Sequence, residues 1–375
     1  MKIAILGFGT IGKGVFELLS GRTDIIVKRI LDLRKWNDLM TTDFSEITGD
    51  PEIELVVETM GGVEPARTYV LECLNKGKHV VTANKLLVSK CANELIAASR
   101  VGNKAFLFSA ACGGGIPYLV NLQRTKDVDS VTELGGILNG TSNYILDQLQ
   151  SNDINFSDAL KKAQELGYAE KDPTSDIEGL DTVRKLILSC AVAFGSLITE
   201  AQVCRFGISN INESDIKYAK EHCKVIRLTA YAGLNEDKTL KAWVMPGLFN
   251  DSAPEASTKS NLNYIWYNAE KSGVFGYSGQ GAGSLPTAAN IVKDIISISE
   301  DTMNMLPGKL SEAVVKNTDK RSFYVRMPAK CDISMLPAEK TTEVNGYTVI
   351  ETMPMCMDEL DLSCIKANNG SILLK

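Results

Sequence analysis

Short runs of apolar residues recur along the first third of the chain, and stretches with a helical spacing of apolar positions separate them. The apolar runs lie at 2–6, 25–31, 55–58, 79–82 and 105–108. The helical patterns lie at 13–20, 65–75 and 89–100. Short, uninterrupted apolar runs are typical of strands buried on both faces. Their alternation with helices predicts an α/β domain over residues 1–112, with a parallel sheet wound by right-handed crossovers.

The pattern changes after the glycine-rich stretch that follows this domain. Helical spacing appears at 143–150, 156–167 and 181–193, and strand-like segments follow near 225–232, 240–244 and 264–277. This order predicts an α+β domain over residues 113–321. A last helix has the spacing to pack back against the first domain, so we expect residues 284–300 to complete that domain. An alternating strand at 323–327 then opens a turn-rich stretch, which predicts a small C-terminal module over residues 322–375.

Composition narrows the class of protein and of partner. The 375 residues carry a net charge of -6 and a pI near 5.3 without a basic run, which disfavours a nucleic-acid surface. The mean hydropathy is -0.03, and no apolar run reaches the length that spans a membrane. The chain begins with an apolar strand instead of a signal peptide, and its nine cysteines include no C-x-x-C pair. We therefore expect a cytoplasmic protein whose partners are small molecules.

A glycine-rich turn lies between the first predicted strand and the first predicted helix. It reads Gly7, Phe8, Gly9, Thr10, Ile11 and Gly12, the G-x-G-x-x-G pattern. The first glycine permits a tight turn, the second lets the backbone approach a pyrophosphate, and the third allows the helix to pack closely on the strand. The helix N-terminus then faces the phosphates. In this setting the pattern predicts a Rossmann-type dinucleotide-binding domain rather than a merely structural turn.

The end of the second predicted strand bears on the choice of dinucleotide. Asp32 lies about twenty residues after the glycines, where a carboxylate hydrogen-bonds the ribose 2′-hydroxyl of NAD. Arg34 and Lys35 follow at once, and they have the charge to pair with the 2′-phosphate of NADP. The alternative for each of the three is a solvated loop position. The sequence therefore leaves NAD and NADP as alternatives.

The candidates for proton transfer are lysines and carboxylates, because the only two histidines lack a carboxylate pattern. Asp181 and Lys185 stand at i and i+4 of a predicted helix, so their side chains can touch. Such pairs are common on surfaces, but the apolar run at 186–194 indicates a buried helix, where an unpaired ammonium is costly. Lys85 lies just past a predicted parallel strand, at the edge where ligands bind in such sheets. Its alternative is an exposed loop lysine.

An ordered series of sequence blocks resembles the homoserine dehydrogenase family. After the glycine fingerprint, the blocks lie at 58–62, 80–85, 113–117, 136–146, 167–185 and 279–288. The resemblance covers about the first 300 residues. It implies a Rossmann-type domain joined to an α+β domain for substrate binding, catalysis and oligomerisation. It also implies an NAD(P)-dependent oxidoreductase of threonine and methionine biosynthesis, which interconverts L-aspartate 4-semialdehyde and L-homoserine.

The same resemblance implies roles for individual residues. Lys185 is the implied proton donor and acceptor, oriented by Asp181, while Glu170 and Asp176 bind the substrate ammonium. Lys85 is the implied catalytic neighbour of both nicotinamide and substrate. Further implied cofactor contacts are Met60, Gly61, Gly281 and Gly283. The implied ligands of a monovalent cation, usually sodium, are the backbone carbonyls of Cys112, Gly114 and Ile116. A homodimer or homotetramer is implied as well.

The chain departs from the usual family sequence at three places. Residues 109–111 read Ser-Ala-Ala where the family commonly has Glu-Ala-Ser or Glu-Ala-Thr, beside the implied cation site. Asp32 replaces a basic residue often found at the end of the second strand. The segment from Ser322 resembles the opening strand of a regulatory ACT module but is short, so we expect an ACT-like remnant.

Two alternatives to this function remain. One is a related α/β oxidoreductase that acts on another small aldehyde. The other is a non-catalytic protein that senses dinucleotides. Retention of Lys185, Asp181, Glu170 and Lys85 together favours an enzyme, because a sensor needs no proton donor and no substrate carboxylates.

Overall fold

The computed structural model describes residues 1–35, 37–152, 154–303 and 309–375. Its strands are β1 (Lys2–Leu6), β2 (Ile26–Leu31), β3 (Met40–Thr41), β4 (Leu55–Glu58), β5 (His79–Thr82), β6 (Phe106–Leu107), β7 (Val131–Ile137), β8 (Ser196–Leu197), β9 (Cys204–Arg205), β10 (Lys224–Leu234), β11 (Leu240–Asn250), β12 (Leu262–Ala269), β13 (Gly273–Gln280), β14 (Ser311–Glu312), β15 (Lys320–Arg321), β16 (Phe323–Pro328), β17 (Ala338–Val344), β18 (Tyr347–Thr352), β19 (Met355–Cys356) and β20 (Ser371–Leu374).

The α-helices are α1 (Thr10–Leu19), α2 (Ser45–Thr48), α3 (Ala66–Asn75), α4 (Lys85–Val101), α5 (Tyr118–Lys126), α6 (Gly140–Asn152), α7 (Phe156–Glu165), α8 (Thr174–Ile177), α9 (Leu180–Phe194), α10 (Glu213–Glu221), α11 (Pro254–Ser257), α12 (Ser284–Ser299) and α13 (Leu362–Ala367).

The chain divides into two compact units. The first unit comprises Met1–Val131, Ile187–Leu197 and Gly279–Glu312, and the second comprises Thr132–Leu186, Ile198–Ser278 and Ala313–Lys375. This division differs from the predicted domains because residues 113–131 lie in the first unit and residues 322–375 in the second.

The first unit is built on a parallel sheet with the strand order β3-β2-β1-β4-β5-β6. Its central strands are apolar because both faces are covered: Ile3 and Ile5 of β1 and Val57 of β4 are fully buried. Helix α12 returns to this core from late in the chain, and its Ile291 and Ile295 are also fully buried there. At roughly 1.5–3 kcal/mol for each buried aliphatic side chain, this late helix is a large part of the unit's stability.

The second unit is a mixed sheet with helices packed on it, and its strands follow the order β13-β12-β7-β10-β11-β20-β16-β18-β17. The long antiparallel pair β10 and β11 lies at its centre. Aromatic and apolar side chains form its core, including Trp243, Met245, Phe323 and Ile372. The C-terminal strand β20 pairs with β11 at Gly247 and Leu374, so the segment predicted as a small module continues this sheet.

Several element boundaries differ from the sequence-based expectation. Helix α4 begins at Lys85, four positions before the predicted start, because the Asn84 side chain caps it by accepting a 3.1 Å hydrogen bond from the Leu87 amide. The strand-like segment near 264–277 is two strands, β12 and β13, with Gly273 at φ +78° where β13 begins. The spacing of apolar residues thus predicted which helices and strands are present better than it predicted where each begins and ends.

Candidate functional site

The glycine fingerprint joins β1 to α1 in the first unit. Gly7 has φ +91°, and a Cβ on Gly12 would lie 2.1 Å from the Gly7 carbonyl oxygen, so both positions require glycine. A Cβ on Gly9 would meet no atom within 4 Å. Gly9 caps α1 without a side-chain hydrogen bond, and the first turn holds no acidic residue. The helix N-terminus therefore presents backbone amides beside open space, which suits a pyrophosphate.

Asp32 lies beside this turn and is tied to it. One carboxylate oxygen accepts a 2.7 Å hydrogen bond from the Phe8 amide, and the other accepts one of 3.2 Å from the Arg34 amide. Arg34 and Lys35 are exposed. The structure thus places Asp32 against the glycine turn, which its carboxylate helps to hold, while Arg34 and Lys35 remain at the surface next to it in sequence.

A fully buried carboxylate organises the loop after β4. Glu58 accepts hydrogen bonds from the Met60 amide at 2.8 Å and from the Gly61 amide at 3.3 Å. It also accepts one from the Thr82 hydroxyl at 2.5 Å and one from the Asn84 amide group at 3.4 Å. Glu58 and Asn84 were not predicted as site residues. The sequence did contain a signal for them, since each is a polar residue at or just after the end of an apolar strand.

Lys85 is the first residue of α4 and is half-buried. It follows β5 at the carboxyl edge of the parallel sheet, the position predicted for it. Because Asn84 both caps α4 and donates a 2.6 Å hydrogen bond to the Gly62 carbonyl, the start of the helix is fixed to the loop after β4. Glu58 and Asn84 thus hold the loop with Met60 and Gly61 next to the start of α4, where Lys85 lies.

The loop predicted to bind a cation is already supplied with a hydrogen-bond donor. Its Gly114 and Ile116 carbonyls accept hydrogen bonds from the Asn290 side-chain amide at 2.5 and 3.0 Å. Cys112 is buried, and its Sγ lies 3.6 Å from the Ser189 hydroxyl. The amide nitrogen lies within hydrogen-bond distance of both oxygens, where a cation that bridged them would also have to lie, so these residues do not fit a bound cation as they stand.

Gly281 and Gly283, predicted to lie over the cofactor, directly precede α12. A Cβ on Gly114 would lie 2.6 Å from the Gly281 carbonyl, so this loop packs directly on the cation-site loop. Gly283 has φ +120° and precedes Ser284, whose hydroxyl donates a 2.7 Å hydrogen bond to the Thr10 carbonyl. Both glycines therefore lie in the part of the first unit that carries the fingerprint.

The predicted Asp181–Lys185 pair is formed in the second unit. The Lys185 ammonium lies 2.8 Å from an Asp181 carboxylate oxygen and donates a 2.5 Å hydrogen bond to the Leu138 carbonyl. Both residues are buried, with 7% and 5% of their surface exposed. Removing one partner of such a pair leaves a desolvated charge, which typically costs about 3–5 kcal/mol. The burial argues against the surface-pair interpretation.

Asn139 connects this ion pair to a predicted substrate ligand. Its side-chain amide donates hydrogen bonds to Asp176 at 2.7 Å and to Asp181 at 2.9 Å, while its carbonyl oxygen accepts one of 2.8 Å from the Ser142 amide. The Ser142 contact fixes which end of the amide faces the two carboxylates. Asn139 was not predicted as a site residue, although it lies in one of the family-like blocks.

The two carboxylates predicted to bind an ammonium differ in environment. Asp176 is half-buried beside Asn139, whereas Glu170 is exposed, and its backbone carbonyl accepts a 3.1 Å hydrogen bond from Gln164. Both belong to the second unit, but only Asp176 is joined through Asn139 to the ion pair.

Asp294 on α12 is a buried carboxyl group that no sequence argument singled out. Burial raises its pKa to about 7 against a hydrogen bond from the Ser109 amide, which lowers it. The folded protein thus holds the proton more tightly than the unfolded chain does. The resulting stabilisation is complete below the ordinary carboxyl pKa and is lost as the pH rises through about 7.

We therefore predict that Asp294→Asn, which is neutral at every pH, gains stability relative to the parent as the pH rises from about 4 to 7. The difference in unfolding free energy rises by at most about 1.4 kcal/mol per pH unit and is constant above pH 7. Denaturant unfolding of both proteins across this range measures it. A difference that does not change with pH would contradict the assigned titration.

Within the described ranges, no helix has the length and apolar character needed to cross a bilayer. Among the same residues, no group of three or more histidine, cysteine, aspartate or glutamate side chains is arranged to hold a metal ion.

Comparison with known proteins identifies the same family in both parts of the chain. The homoserine dehydrogenase NAD-binding domain matches residues 7–109, and the homoserine dehydrogenase domain matches residues 117–296. The homoserine dehydrogenase of Bacillus subtilis is 33% identical over 318 residues, which are 80% of this chain and 73% of the relative. That of Synechocystis sp. is 36% identical over 316 residues, with the same shares.

Solved structures agree. A crystal structure of a homoserine dehydrogenase from Thiobacillus denitrificans superposes with a TM-score of 0.88 at 29% identity, covering 100% of this chain and 97% of that one. A crystal structure of the S. aureus homoserine dehydrogenase gives a TM-score of 0.78 at 28% identity, covering 100% and 98%. The nicotinamide-binding fold, the buried lysine and these likenesses agree, and the chain belongs to the homoserine dehydrogenase family of NAD(P)-dependent oxidoreductases.

Proposed function

We propose that this chain interconverts L-aspartate 4-semialdehyde and L-homoserine, and that Lys185 donates and accepts the proton. The observation that carries the proposal is the buried ion pair of Lys185 with Asp181. Reduction of the aldehyde adds a hydride to carbon and a proton to oxygen. When bound, the nicotinamide supplies the hydride, and in the oxidative direction it accepts one.

The surroundings of Lys185 suit a proton donor. An ammonium has three N–H groups, and two of its contacts are the Asp181 carboxylate and the Leu138 carbonyl. These contacts fix the direction of the side chain and pair its ammonium with a carboxylate. A fixed, desolvated ammonium stabilises a developing alkoxide more strongly than a solvated one would. In the oxidative direction the neutral amine of Lys185 takes up the hydroxyl proton of homoserine, which regenerates the ammonium.

Substrate recognition is assigned to Glu170 and Asp176, which bind the α-ammonium. Asp176 is supported by its hydrogen bond from Asn139, which orients the carboxylate and also contacts Asp181. In this proposal residues 113–321 bind the substrate, and residues 1–112, completed by 284–300, bind the cofactor. Residues 322–375 are proposed as an ACT-like remnant. A homodimer or homotetramer is proposed from the family likeness.

We predict that Glu170→Gln raises the KM for homoserine by roughly 10- to 100-fold and changes kcat much less, because a charged hydrogen bond to the substrate is worth about 1.5–3 kcal/mol. Steady-state kinetics measure both constants. The matched control is Glu165→Gln, an exposed acid at the end of α7. Unchanged homoserine turnover in Glu170→Gln would reject this substrate assignment.

The cofactor is proposed as NADP or NAD, since Asp32 favours a free 2′-hydroxyl while the exposed Arg34 and Lys35 favour a 2′-phosphate. The experiment that tests the function is the initial rate of homoserine oxidation with each cofactor in parallel, followed by absorbance of the reduced nicotinamide. A rate with either establishes the reaction. If folded protein that binds dinucleotide oxidises homoserine with neither cofactor, the result would favour another aldehyde substrate or a dinucleotide sensor.

No monovalent cation takes part in the proposed reaction. The carbonyls of Gly114 and Ile116, which the family resemblance assigns to sodium, accept the Asn290 amide.

A further inference from the structure

A side-chain amide lies where two backbone carbonyls of the first unit converge. Asn290 on α12 is 3% exposed, and its Nδ2 donates to the Gly114 carbonyl at 2.5 Å and to the Ile116 carbonyl at 3.0 Å. The Ile116 carbonyl also accepts a hydrogen bond from the Tyr118 amide at 2.8 Å. One NH2 group thus satisfies two carbonyl groups on a loop that reverses direction.

The orientation of this amide follows from its surroundings. An amide group has two N–H donors on nitrogen and only acceptor lone pairs on oxygen. The Asn290 oxygen accepts a 3.3 Å hydrogen bond from the Lys293 ammonium. The reverse orientation would set that oxygen against the Gly114 and Ile116 carbonyl oxygens and the NH2 group against the Lys293 ammonium, which is costly for buried groups.

Convergent carbonyl oxygens need a positively polarised partner. Their dipoles point toward one place, and a cation or a set of N–H donors neutralises the negative potential there. In this chain the donors come from Asn290, which lies 176 positions from Gly114 in sequence. Because α12 belongs to the core of the first unit, the donor is permanently attached and does not exchange with solvent ions.

The same helix fastens the stretch that leads into the loop. Asp294, four residues after Asn290, accepts a 3.0 Å hydrogen bond from the Ser109 amide. The Gly115 amide donates a 3.2 Å hydrogen bond to the Gln280 carbonyl, and a Cβ on Gly115 would lie 2.8 Å from Pro286. Residues 109–117 are therefore held along the length of α12, with Asn290 at the glycines.

We propose that Asn290 is a positioning residue that takes the place of a monovalent cation: its amide holds the loop at 112–117, and this enzyme needs no sodium for stability or for turnover. The proposal does not depend on the substrate assigned above, because its primary measurement is the stability of the protein.

The test compares thermal unfolding in sodium chloride and in choline chloride at equal ionic strength, since choline is too large to occupy a site between carbonyls. We expect the parent protein to unfold at the same temperature in both salts. We expect Asn290→Ala to unfold roughly 5 °C lower in both, because two buried carbonyls each lose the hydrogen bond from Asn290. A parallel rate measurement should show no dependence on sodium in the parent.

Asn290→Asp tests the proposal through the response of the unfolding temperature to sodium, which a merely structural role of Asn290 would not change. One carboxylate oxygen can pair with Lys293, but the other then faces the Gly114 and Ile116 carbonyls, which creates a cluster of oxygens that attracts a cation. We expect the unfolding temperature of this variant to be lowered in choline and restored by sodium in a saturable manner. The control is Asn75→Asp at the exposed end of α3, which should respond equally to both salts.

Three outcomes would overturn the proposal. One is saturable, sodium-specific stabilisation or activation of the parent protein, which requires no variant to fold. Another is an Asn290→Ala protein as stable as the parent. The third is an Asn290→Asp protein that folds but responds identically to sodium and choline.

Discussion

Lys185→Ala should lower kcat for homoserine oxidation by about 100- to 10,000-fold, the usual contribution of a positioned general acid or base. The variant should still bind NADP or NAD with nearly unchanged affinity, because Lys185 lies in the second unit and the glycine fingerprint in the first. Steady-state rates and a fluorescence titration with reduced dinucleotide measure the two quantities.

Burial makes the choice of control important. Loss of the ammonium leaves Asp181 with the Asn139 amide as a remaining donor, so the variant should fold with reduced stability. Lys185→Met, which retains the apolar stem, provides a second test in a protein closer in packing to the parent. Arg184→Ala is the matched control on the same helix, since its side chain pairs with Glu200, and it should retain activity within a few-fold. Loss of both turnover and dinucleotide binding in Lys185→Met would reject the proton-transfer role.

Gly9→Ala should weaken dinucleotide binding by roughly 10- to 100-fold while leaving the stability of the unliganded protein unchanged. Gly9 has φ -75°, which alanine adopts readily, and its Cβ would meet no protein atom within 4 Å. The new methyl group instead enters the space beside the N-terminus of α1, where a pyrophosphate would approach the backbone.

Gly12→Ala should give the opposite pattern of effects. Its Cβ would lie 2.1 Å from the Gly7 carbonyl oxygen, so α1 must move away from the turn. We expect an unfolding temperature lowered by roughly 5 °C or more even without ligand. Thermal unfolding and dinucleotide titration of both variants check the pair. Gly9→Ala binding as tightly as the parent would place the dinucleotide elsewhere.

Local pattern was enough to predict much of the first unit. Its strands are short and buried on both faces, so they appear as apolar runs, and the glycine turn has steric requirements that only one residue type meets. The Asp181–Lys185 pair could be predicted for a similar reason, because its spacing follows from the geometry of one helix. The structure brings those two side chains to 2.8 Å.

Contacts between distant parts of the chain could not be predicted in this way. Glu58 meets Asn84 across 26 positions, and Asn139 meets Asp181 across 42, through packing that no local spacing encodes. The pairing of β20 with β11 is equally non-local, so no local spacing indicated that residues 322–375 add strands to the sheet of the second unit. The Asn84 cap was a local signal for the start of α4, but the apolar spacing suggested a later start.

The return of α12 to the core of the first unit has a consequence for biosynthesis. The six strands of the central parallel sheet are complete by residue 107, yet Ile291 and Ile295, which fill the core of this unit, leave the ribosome much later. At about 5–20 residues per second, the nascent sheet waits roughly 10–40 s with apolar surface uncovered. During synthesis this protein should therefore depend on chaperones or on slow collapse of the nascent chain, and a chain released before residue 284 should aggregate rather than bind dinucleotide.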